Sequence, residues 1–496
     1  MVILLAILIY FCVLMLVSKL VSRRSDNATF FKGNRQSPWY MVAFGMVGAS
    51  ISGVTFVSVP GMVMSTDMTY LQTCLGFIVG YIAVAFLLLP LYYRLNLTTI
   101  YTYLNQRLGK RSYKTGASFF LLSKMAGAAV RFYIVCLILH RFVVEPLLKA
   151  PLHASADSSY FIQYSSFILT VIVMVALIWL YTRRSGIKTL VFTDTFQTVC
   201  LFTALILIML QVMDALHFDL STAVTAIAHD SHSRIFVFDD WVSKQNFWKQ
   251  FLSGIFIVVV MTGLDQDMMQ KNLTCKSLRD AQKDMCTYGL AFFPANLLFL
   301  SLGILLVMLC RQQGAPLPAS GDELLPMFIN GQLSMVNSQL SIIFVLGIVA
   351  ASFSSADSAL TSLTTSYCID ICERPDDERL RKRAHIGVAL VFTLFILAFK
   401  VVNSTSVIDA IYILCSYTYG PLLGLFAFGL LTRRQVNDRL VPYIAIASPL
   451  LCFLIDTLTQ SLFAYRFGYE LLMLNGILTF LGLWVTARKQ RAIPTE

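Results

Sequence analysis

Residues 350–358 read AASFSSADS and lie inside a long apolar segment, where a carboxylate and four hydroxyls are costly to bury. Four residues recur at the spacing of one helical face: Ala351, Ser354, Ser355 and Ser358. Asp357 lies at the edge of that face. Hard oxygen ligands in such a row suit a hard cation. The stretch therefore predicts an ion site within a membrane helix.

The composition around this stretch is that of an all-α polytopic membrane protein. Of the 496 residues, 57% are hydrophobic and 13% are charged, which excludes a soluble protein. A requirement of about 20 apolar residues per span predicts thirteen transmembrane helices. Their predicted bounds are 2–20, 38–64, 70–93, 114–144, 161–182, 187–213, 247–267, 285–311, 338–369, 384–402, 405–432, 438–462 and 468–487.

The basic residues predict an orientation in the lipid bilayer. With the N-terminus outside, the predicted cytoplasmic loops, span edges and tail hold 27 of the 38 Lys and Arg residues, and the opposite side holds 8. We therefore expect a multi-pass protein of the inner cell membrane with a cytoplasmic C-terminus. The net charge of +11 reflects this topology, so no nucleic-acid partner is expected. Residues 1–24 contain an apolar helix without a cleavage site, which predicts an additional membrane helix.

Two further spans are unusual: one contains helix-breaking residues, and the other contains two basic residues. The second span contains Gly45, Gly48, Gly53 and Pro60 among hydroxyl side chains, a composition that suits either a broken helix with free carbonyls or close helix packing. The fourth span contains Lys124 and Arg131, about two turns apart.

The two cations of the fourth span have alternative interpretations. Arg131 can bind a solute carboxylate through paired hydrogen bonds, or it can pair with an acid such as Asp194 or Asp357. Lys124 is interpreted as a residue that extends towards the inner membrane surface.

Two acidic motifs follow. Asp194 lies deep in the sixth span and is a second candidate oxygen ligand, or a contact between helices. Residues 265–271, DQDMMQK, straddle the predicted end of the seventh span, where a solvated or gating role near the interface is expected. The sequence lacks a Walker loop and a G-x-S-x-G motif, and no nucleophile–base pair lies in the spans, so we expect no enzyme.

With these motifs placed, the chain resembles the sodium/solute symporter family, which includes the sodium/glucose, sodium/proline and sodium/sialic acid cotransporters. The resemblance extends along nearly the whole chain. The residues that carry it, in the family's order, are FFKGNR (30–35) with SPW (37–39), SGVTFVSVPG (52–61), TDxxQ (193–197), DQDxxQK (265–271), SSADS (354–358) and YGPLLGLF (419–426).

The resemblance implies a LeuT-like fold in a single transporter domain. Ten core helices form two inverted repeats, expected at residues 37–213 and 245–433. One helix precedes this core, and two follow it within 438–487. In such folds the first helix of each repeat is broken, and solute and ion bind near the midplane. The second and seventh spans would hold the two breaks, although only Gly254 and Gly263 suggest the latter.

The resemblance also implies particular ligands, with Na⁺ as the metal ion. The common sodium site would comprise carbonyls and two serine hydroxyls from Gly48, Ile51, Ala351, Ser354 and Ser355. A second sodium or proton site would comprise Asp194, Ser354, Asp357 and Ser358. A competing interpretation, which the sequence favours, pairs Asp357 with Arg131 and leaves no second site. The solute would contact Ser52, Thr55, Gln72 and Arg131.

The function implied is sodium-coupled symport of a small organic solute by alternating access. The solute class stays open among sugars, sialic acids, carboxylates and amino acids, and so do the stoichiometry and the oligomeric state. Two alternatives remain, namely proton coupling through Asp194 or Asp357 and a transporter-like sensor of a solute.

Overall fold

The computed structural model describes residues 2–21, 26–145, 156–183, 186–329, 338–402, 407–463, 465 and 467–487. Within these residues the chain is helical, apart from connecting loops and one isolated bridge between Ser37 and Cys275. Ten of the described helices are long and apolar enough to cross a membrane, and two bent helix pairs raise the number of candidate spans to twelve. The prediction of an all-α polytopic protein is confirmed.

Fifteen helices make up these spans and the C-terminal helix. They are α1 (Val2–Val21), α2 (Trp39–Ser50), α3 (Gly53–Thr66), α4 (Tyr70–Arg94), α5 (Lys110–Leu139), α6 (Ala156–Thr182), α7 (Ile187–Ala215), α8 (Phe247–Gly263), α9 (Gln266–Asn272), α10 (Leu278–Gln312), α11 (Ser338–Ser366), α12 (Glu378–Val402), α13 (Val407–Leu431), α14 (Val441–Phe463) and α15 (Leu471–Thr486). Short helices lie between them at Asn27–Lys32, Thr102–Arg107, Leu220–His229 and Leu324–Ile329.

Several helices begin earlier than the apolar segments that predicted them. Helix α10 starts at Leu278 rather than residue 285, because Ser277 caps it by accepting a hydrogen bond from the Asp280 amide at 3.2 Å. Helix α12 starts at Glu378 rather than residue 384. A prediction from hydropathy ends each span at the first charged residues, whereas the helix itself continues past the membrane surface. The last predicted span, 468–487, forms the 16-residue helix α15.

The second span is broken, as its glycines and proline allowed. Helices α2 and α3 meet at a bend of 62°. Between them Ile51 has a non-helical backbone (φ −79°, ψ 85°), and Ser52 is extended (φ −76°, ψ 170°). The prediction of a broken helix is confirmed here, and the break frees backbone groups from the regular helical pattern.

The seventh span is broken as well, by a bend of 70° between α8 and α9. Leu264 and Asp265 leave the helical conformation, and Asp265 then caps α9 by accepting a hydrogen bond from the Asp267 amide at 2.8 Å. Our predicted end of this span at residue 267 was wrong. The helix resumes after the break, and its polar composition conceals the continuation.

Helix α11 lies at the centre of the described structure. In its most apolar stretch 83% of the residues are buried, compared with 22% in α14. It packs against α7, α5, α2 and α3. The polar stretch at residues 350–358 is therefore surrounded by protein, and the break between α2 and α3 lies against it.

Small residues bring neighbouring helices together, and Gly76 is one of them. A Cβ at Gly76 would collide with the Phe251 carbonyl, and one at Gly254 would collide with the Thr73 carbonyl. Helices α4 and α8 therefore approach backbone to backbone. Gly254 is thus a packing glycine and not the point of the break in the seventh span.

Candidate functional site

The break between α2 and α3 contacts the polar face of α11 directly. The Ser355 hydroxyl donates a hydrogen bond to the Ala49 carbonyl at 2.8 Å, and the Ala351 carbonyl lies 3.4 Å from the same hydroxyl. A hydroxyl that donates its proton keeps lone pairs with which to bind a cation. Oxygens from two helices therefore meet beside the broken segment.

All five residues predicted for the common sodium site lie in this region. Gly48 and Ile51 are buried at the C-terminal end of α2, and Ala351, Ser354 and Ser355 are buried on α11. The printed contacts connect Ser355 to Ala49 rather than to Gly48 or Ile51. The assignment of the five ligands to sodium stays a prediction.

Close contact with α7 leaves no room for a side chain at Gly48. A Cβ at this position would overlap the side-chain hydroxyl of Thr198, which itself donates a hydrogen bond to the Asp194 carbonyl at 2.6 Å. Gly53 is restricted in the same way by the Ser352 hydroxyl. The absence of side chains thus brings both sides of the break within contact of the polar groups on α7 and α11.

Asp194 already has a cation beside it. Its carboxylate lies 2.7 Å from the Lys271 ammonium and accepts a hydrogen bond from the Ser354 hydroxyl at 2.8 Å. Asp194 and Lys271 are each 1% exposed. A buried carboxylate requires such compensation. Lys271, on α9, therefore occupies the surroundings that a second sodium ion would need.

Asp357 is held by hydroxyl groups. Its carboxylate accepts hydrogen bonds from Tyr181 at 2.6 Å and from Ser358 at 3.3 Å. The interpretation that paired Asp357 with Arg131 was wrong, because Arg131 forms no ion pair with any residue that the structure describes. The aromatic hydroxyl of α6, rather than the guanidinium of α5, compensates this acid.

The start of α9 contains a second buried charge cluster. The Lys124 ammonium lies 2.6 Å from Asp267 and 3.3 Å from Asp265, and the Tyr419 hydroxyl donates to Asp265 at 2.6 Å. Asp265 and Asp267 are each 2% exposed and Lys124 is 7% exposed. The predictions of solvated acids and of a lysine at the membrane surface were both wrong, because each charge finds its partner inside the bundle.

A cavity of about 100 Å³ lies between the two broken spans and beside this cluster. Its polar lining includes Ser52, Thr55, Arg131, Lys124 and Asp265. Aromatic residues complete the wall: Tyr70, Phe77, Tyr81, Tyr288, Phe292 and Tyr419. A small set of polar groups in an apolar wall is typical of a site for a small organic ligand.

The structure places three of the four predicted solute residues in this cavity and excludes the fourth. Ser52, Thr55 and Arg131 line it, whereas Gln72 does not. Gln72 is fully buried, and its amide donates to the Gln245 carbonyl at 2.9 Å and accepts from the Val237 amide at 3.1 Å. Its role is to hold the connection before α8, so the prediction that it contacts the solute was wrong.

The sequence interpretation missed the roles of Lys271 and Tyr288. The Tyr288 hydroxyl bonds to the hydroxyls of Tyr81 and Ser50, so it joins α10 to the broken span at the cavity wall. The signal for Lys271 was present, because a charge that continues an apolar span is expected to have a buried partner. The partner could not be identified from the sequence.

Comparisons with known proteins agree with this architecture. A model of the sodium:solute symporter family matches residues 30–135, which contain the first broken span. The sodium/sialic acid symporter NanT of Aliivibrio fischeri is 24% identical over 96% of this chain and 92% of its own length. The sodium-coupled monocarboxylate transporter 2 of Mus musculus is also 24% identical, over 82% of this chain and 64% of its own.

A solved structure extends the likeness to the fold. The substrate-bound, outward-open structure of a Na⁺-coupled sialic acid symporter aligns with a TM-score of 0.80 over 99% of both chains, at 18% identity. These relatives are transporters and not enzymes, in agreement with the sequence prediction. In its motifs, in relatives along almost the whole chain and in its fold, this protein is similar to the sodium:solute symporter family.

Proposed function

We propose that the protein is a sodium-coupled symporter that imports a small organic anion by alternating access. The relatives described above carry sialic acid and monocarboxylates, which are carboxylic acids. Ion-driven carriers bind ion and solute near the midplane of the bilayer, between helices that are broken there. The cavity and the polar face of α11 both adjoin the breaks, which supports this assignment.

Arg131 is the observation that favours an anion. Its side chain lines the cavity, and no acid in the described part of the chain neutralises it. Lys124, the other cation of the wall, is balanced by Asp265 and Asp267. A guanidinium binds a carboxylate through two parallel hydrogen bonds. A solute with one carboxylate would therefore supply the missing negative charge, with Ser52 and Thr55 available to its other polar groups.

The sodium ion in this proposal binds between α2 and α11. Carbonyls of Gly48, Ile51 and Ala351 and the hydroxyls of Ser354 and Ser355 provide five neutral oxygens. Ser354 donates its proton to Asp194 and Ser355 donates to Ala49, so both keep lone pairs for an ion. Neutral oxygens replace the hydration shell of Na⁺ while leaving binding weak enough for release.

We further propose that one sodium ion is bound in each cycle. Asp194, the acid of the possible second site, is compensated by Lys271 at 2.7 Å. A sodium ion beside the same carboxylate would face the lysine's positive charge. Among the described residues, the side chains that hydrogen-bond to Asp357 are the hydroxyls of Tyr181 and Ser358 and not a cation, so Asp357 is the stronger candidate in the alternative of proton coupling.

The arrangement in the membrane belongs to the same proposal. The protein would lie in the inner cell membrane. Its thirteen spans would place the N-terminus outside and the C-terminus in the cytoplasm. A LeuT-like core would comprise inverted repeats at residues 37–213 and 245–433. The breaks in the first helix of each proposed repeat, at 62° and 70°, support that division.

Uptake into proteoliposomes tests the function. Labelled sialic acid and pyruvate are the anionic probes, and glucose is the neutral one. An inward sodium gradient should drive uptake of an anion, and Ser354→Ala or Ser355→Ala should abolish the sodium stimulation. Ser362→Ala is the matched control, because this serine is also buried on α11 and, among the described residues, donates its hydrogen bond to the Ala359 carbonyl of its own helix.

The outcomes separate the alternatives. Unchanged sodium dependence in both site variants would contradict the ion assignment. Uptake driven by a pH gradient without sodium would support proton coupling instead. Ligand-induced stabilisation without any counterflow of labelled solute would identify a sensor.

A further inference from the structure

A groove outside the cavity contains three cations that the proposed transport cycle does not use. It lies between the N-terminal end of α5 and the beginning of α14, with a volume of about 520 Å³. Lys110, Arg111 and Lys114 line one end of it. This end adjoins the loop at Glu373, on the side where the basic loops are concentrated.

The groove changes in chemistry along the helix axis. After the three cations, Thr115 and Ser118 follow on the same side of α5, and then Phe119. Residues at these spacings, alternately one and three positions apart, form a stripe along one face. Ile446 of α14 completes the far end and is 58% exposed. The order from charged to hydroxyl to apolar follows the depth of a bilayer leaflet.

The charges at the basic end leave one cation uncompensated. Lys114 and Lys110 both contact Glu373, and their hydrogen bonds lower the pKa of its carboxyl, so that acid is ionised at neutral pH. Asp438 accepts hydrogen bonds from the amides of Arg111 and Ser112. The Arg111 guanidinium itself has no partner within the described residues, and its side chain is exposed. Arg111 is therefore the cation of this end whose side chain no described carboxylate contacts.

We propose that this groove binds an anionic phospholipid, with the phosphodiester at Lys110 and Arg111. The glycerol esters would lie at the hydroxyls of Thr115 and Ser118, and an acyl chain would lie along Phe119 and Ile446. Basic pockets between membrane helices recognise such headgroups through charge, and the apolar end adds burial of the chain. A free phosphate group would use only the basic end of this groove.

The matching charge selects the class of lipid. A phosphatidylglycerol headgroup carries one negative charge, which the uncompensated Arg111 would neutralise. Phosphatidylcholine has the same phosphate but no net charge. Lys114 would contribute less, because its ammonium already donates to the carbonyls of Asp370 and Ile371 at 2.7 and 2.8 Å.

Lipid titration of the purified full-length protein in neutral detergent tests the proposal. The probes are phosphatidylglycerol and phosphatidylcholine with identical acyl chains, and glycerol 3-phosphate as the headgroup alone. Native mass spectrometry counts the bound lipid, and the thermal unfolding midpoint reports its effect. The variant is Lys110→Gln with Arg111→Gln. The matched control is Arg379→Gln with Lys382→Gln, which removes two exposed charges from the start of α12.

We expect phosphatidylglycerol to bind wild type more tightly than phosphatidylcholine does. The groove variant should lose about ten- to thirtyfold in affinity for phosphatidylglycerol, and the control should not, since each basic residue near a headgroup adds about 1 kcal/mol. Equal binding of the two lipids, or wild-type affinity in the groove variant, would overturn the proposal. If glycerol 3-phosphate binds with the same affinity as phosphatidylglycerol, the groove is a site for a soluble phosphate instead.

Discussion

Replacement of Lys271 by glutamine removes the cation beside Asp194, and the structure sets the size of the effect. The charged atoms are 2.7 Å apart, and both side chains are 1% exposed. At an effective dielectric constant of about 20, two charges at this distance attract by about 6 kcal/mol. Desolvation of the two ions offsets much of this attraction. Loss of one partner, however, leaves the other charge buried alone, which costs about 3–5 kcal/mol.

We therefore expect Lys271→Gln to lose about 3–5 kcal/mol of stability in sodium-free choline buffer. The double variant Lys271→Gln with Asp194→Asn should recover most of this loss, because the remaining side chains are neutral and can hydrogen-bond. In the single variant, sodium can enter beside the vacated carboxylate. At a concentration of 100 times its Kd, an ion that binds only the folded state adds about 2.7 kcal/mol.

Denaturant unfolding of the purified protein, in matched sodium and choline buffers, measures all three forms. The sodium-dependent gain in stability should be larger in Lys271→Gln than in wild type and should fall again in the double variant. Wild-type stability of Lys271→Gln in choline would refute the buried ion pair. A double variant no more stable than the single one would show that the loss does not come from an unpaired Asp194.

Three further predictions concern the break, the cavity and the outer connection. Gly48→Ala should lower stability by about 1–3 kcal/mol through overlap with Thr198, and Thr198→Ala should restore it, as measured by thermal unfolding. Arg131→Gln should reduce sodium-driven uptake of pyruvate or sialic acid at least about tenfold, since loss of a charged hydrogen bond costs about 1.5–3 kcal/mol. It should leave the unfolding midpoint unchanged, because this arginine forms no ion pair with the described residues. Gln72→Ala should increase amide exchange at residues 237–245 without changing solute affinity, because both of its bonds hold that connection.

The fold could be predicted further than the site. Apolar segments separated by basic loops are a local property of the sequence, so the helices were located, although their starts differ by up to seven residues. The break at Ile51 was predictable too, since glycine, proline and hydroxyls are concentrated around it. The break at Leu264 was expected from the family resemblance, with Gly263 beside it, but composition alone showed it less clearly. Gly254 serves packing against Thr73, and the helix after the break is polar.

The charged residues show what a single sequence leaves out. Each buried charge was visible, but its compensation comes from a helix far along the chain: Lys271 for Asp194, and Asp267 for Lys124. An unpaired buried charge is energetically costly, so each of these residues is expected to have a partner, but the sequence does not specify which one. Arg131 and Asp357 were the plausible pair by charge, yet Tyr181 is the group that reaches the carboxylate.

Helix α9 connects the two regions that a symporter must couple. Its Lys271 pairs with Asp194, which accepts the hydrogen bond of Ser354 at the proposed sodium site. Four residues earlier, its Asp267 pairs with Lys124 in the wall of the proposed solute cavity. A shift of α9 away from α5 and α7 would separate both buried pairs at once, and each would leave charges without compensation. An ion or a solute that stabilises either pair therefore favours the position of α9 that the other also requires, which is the reciprocity that coupled binding demands.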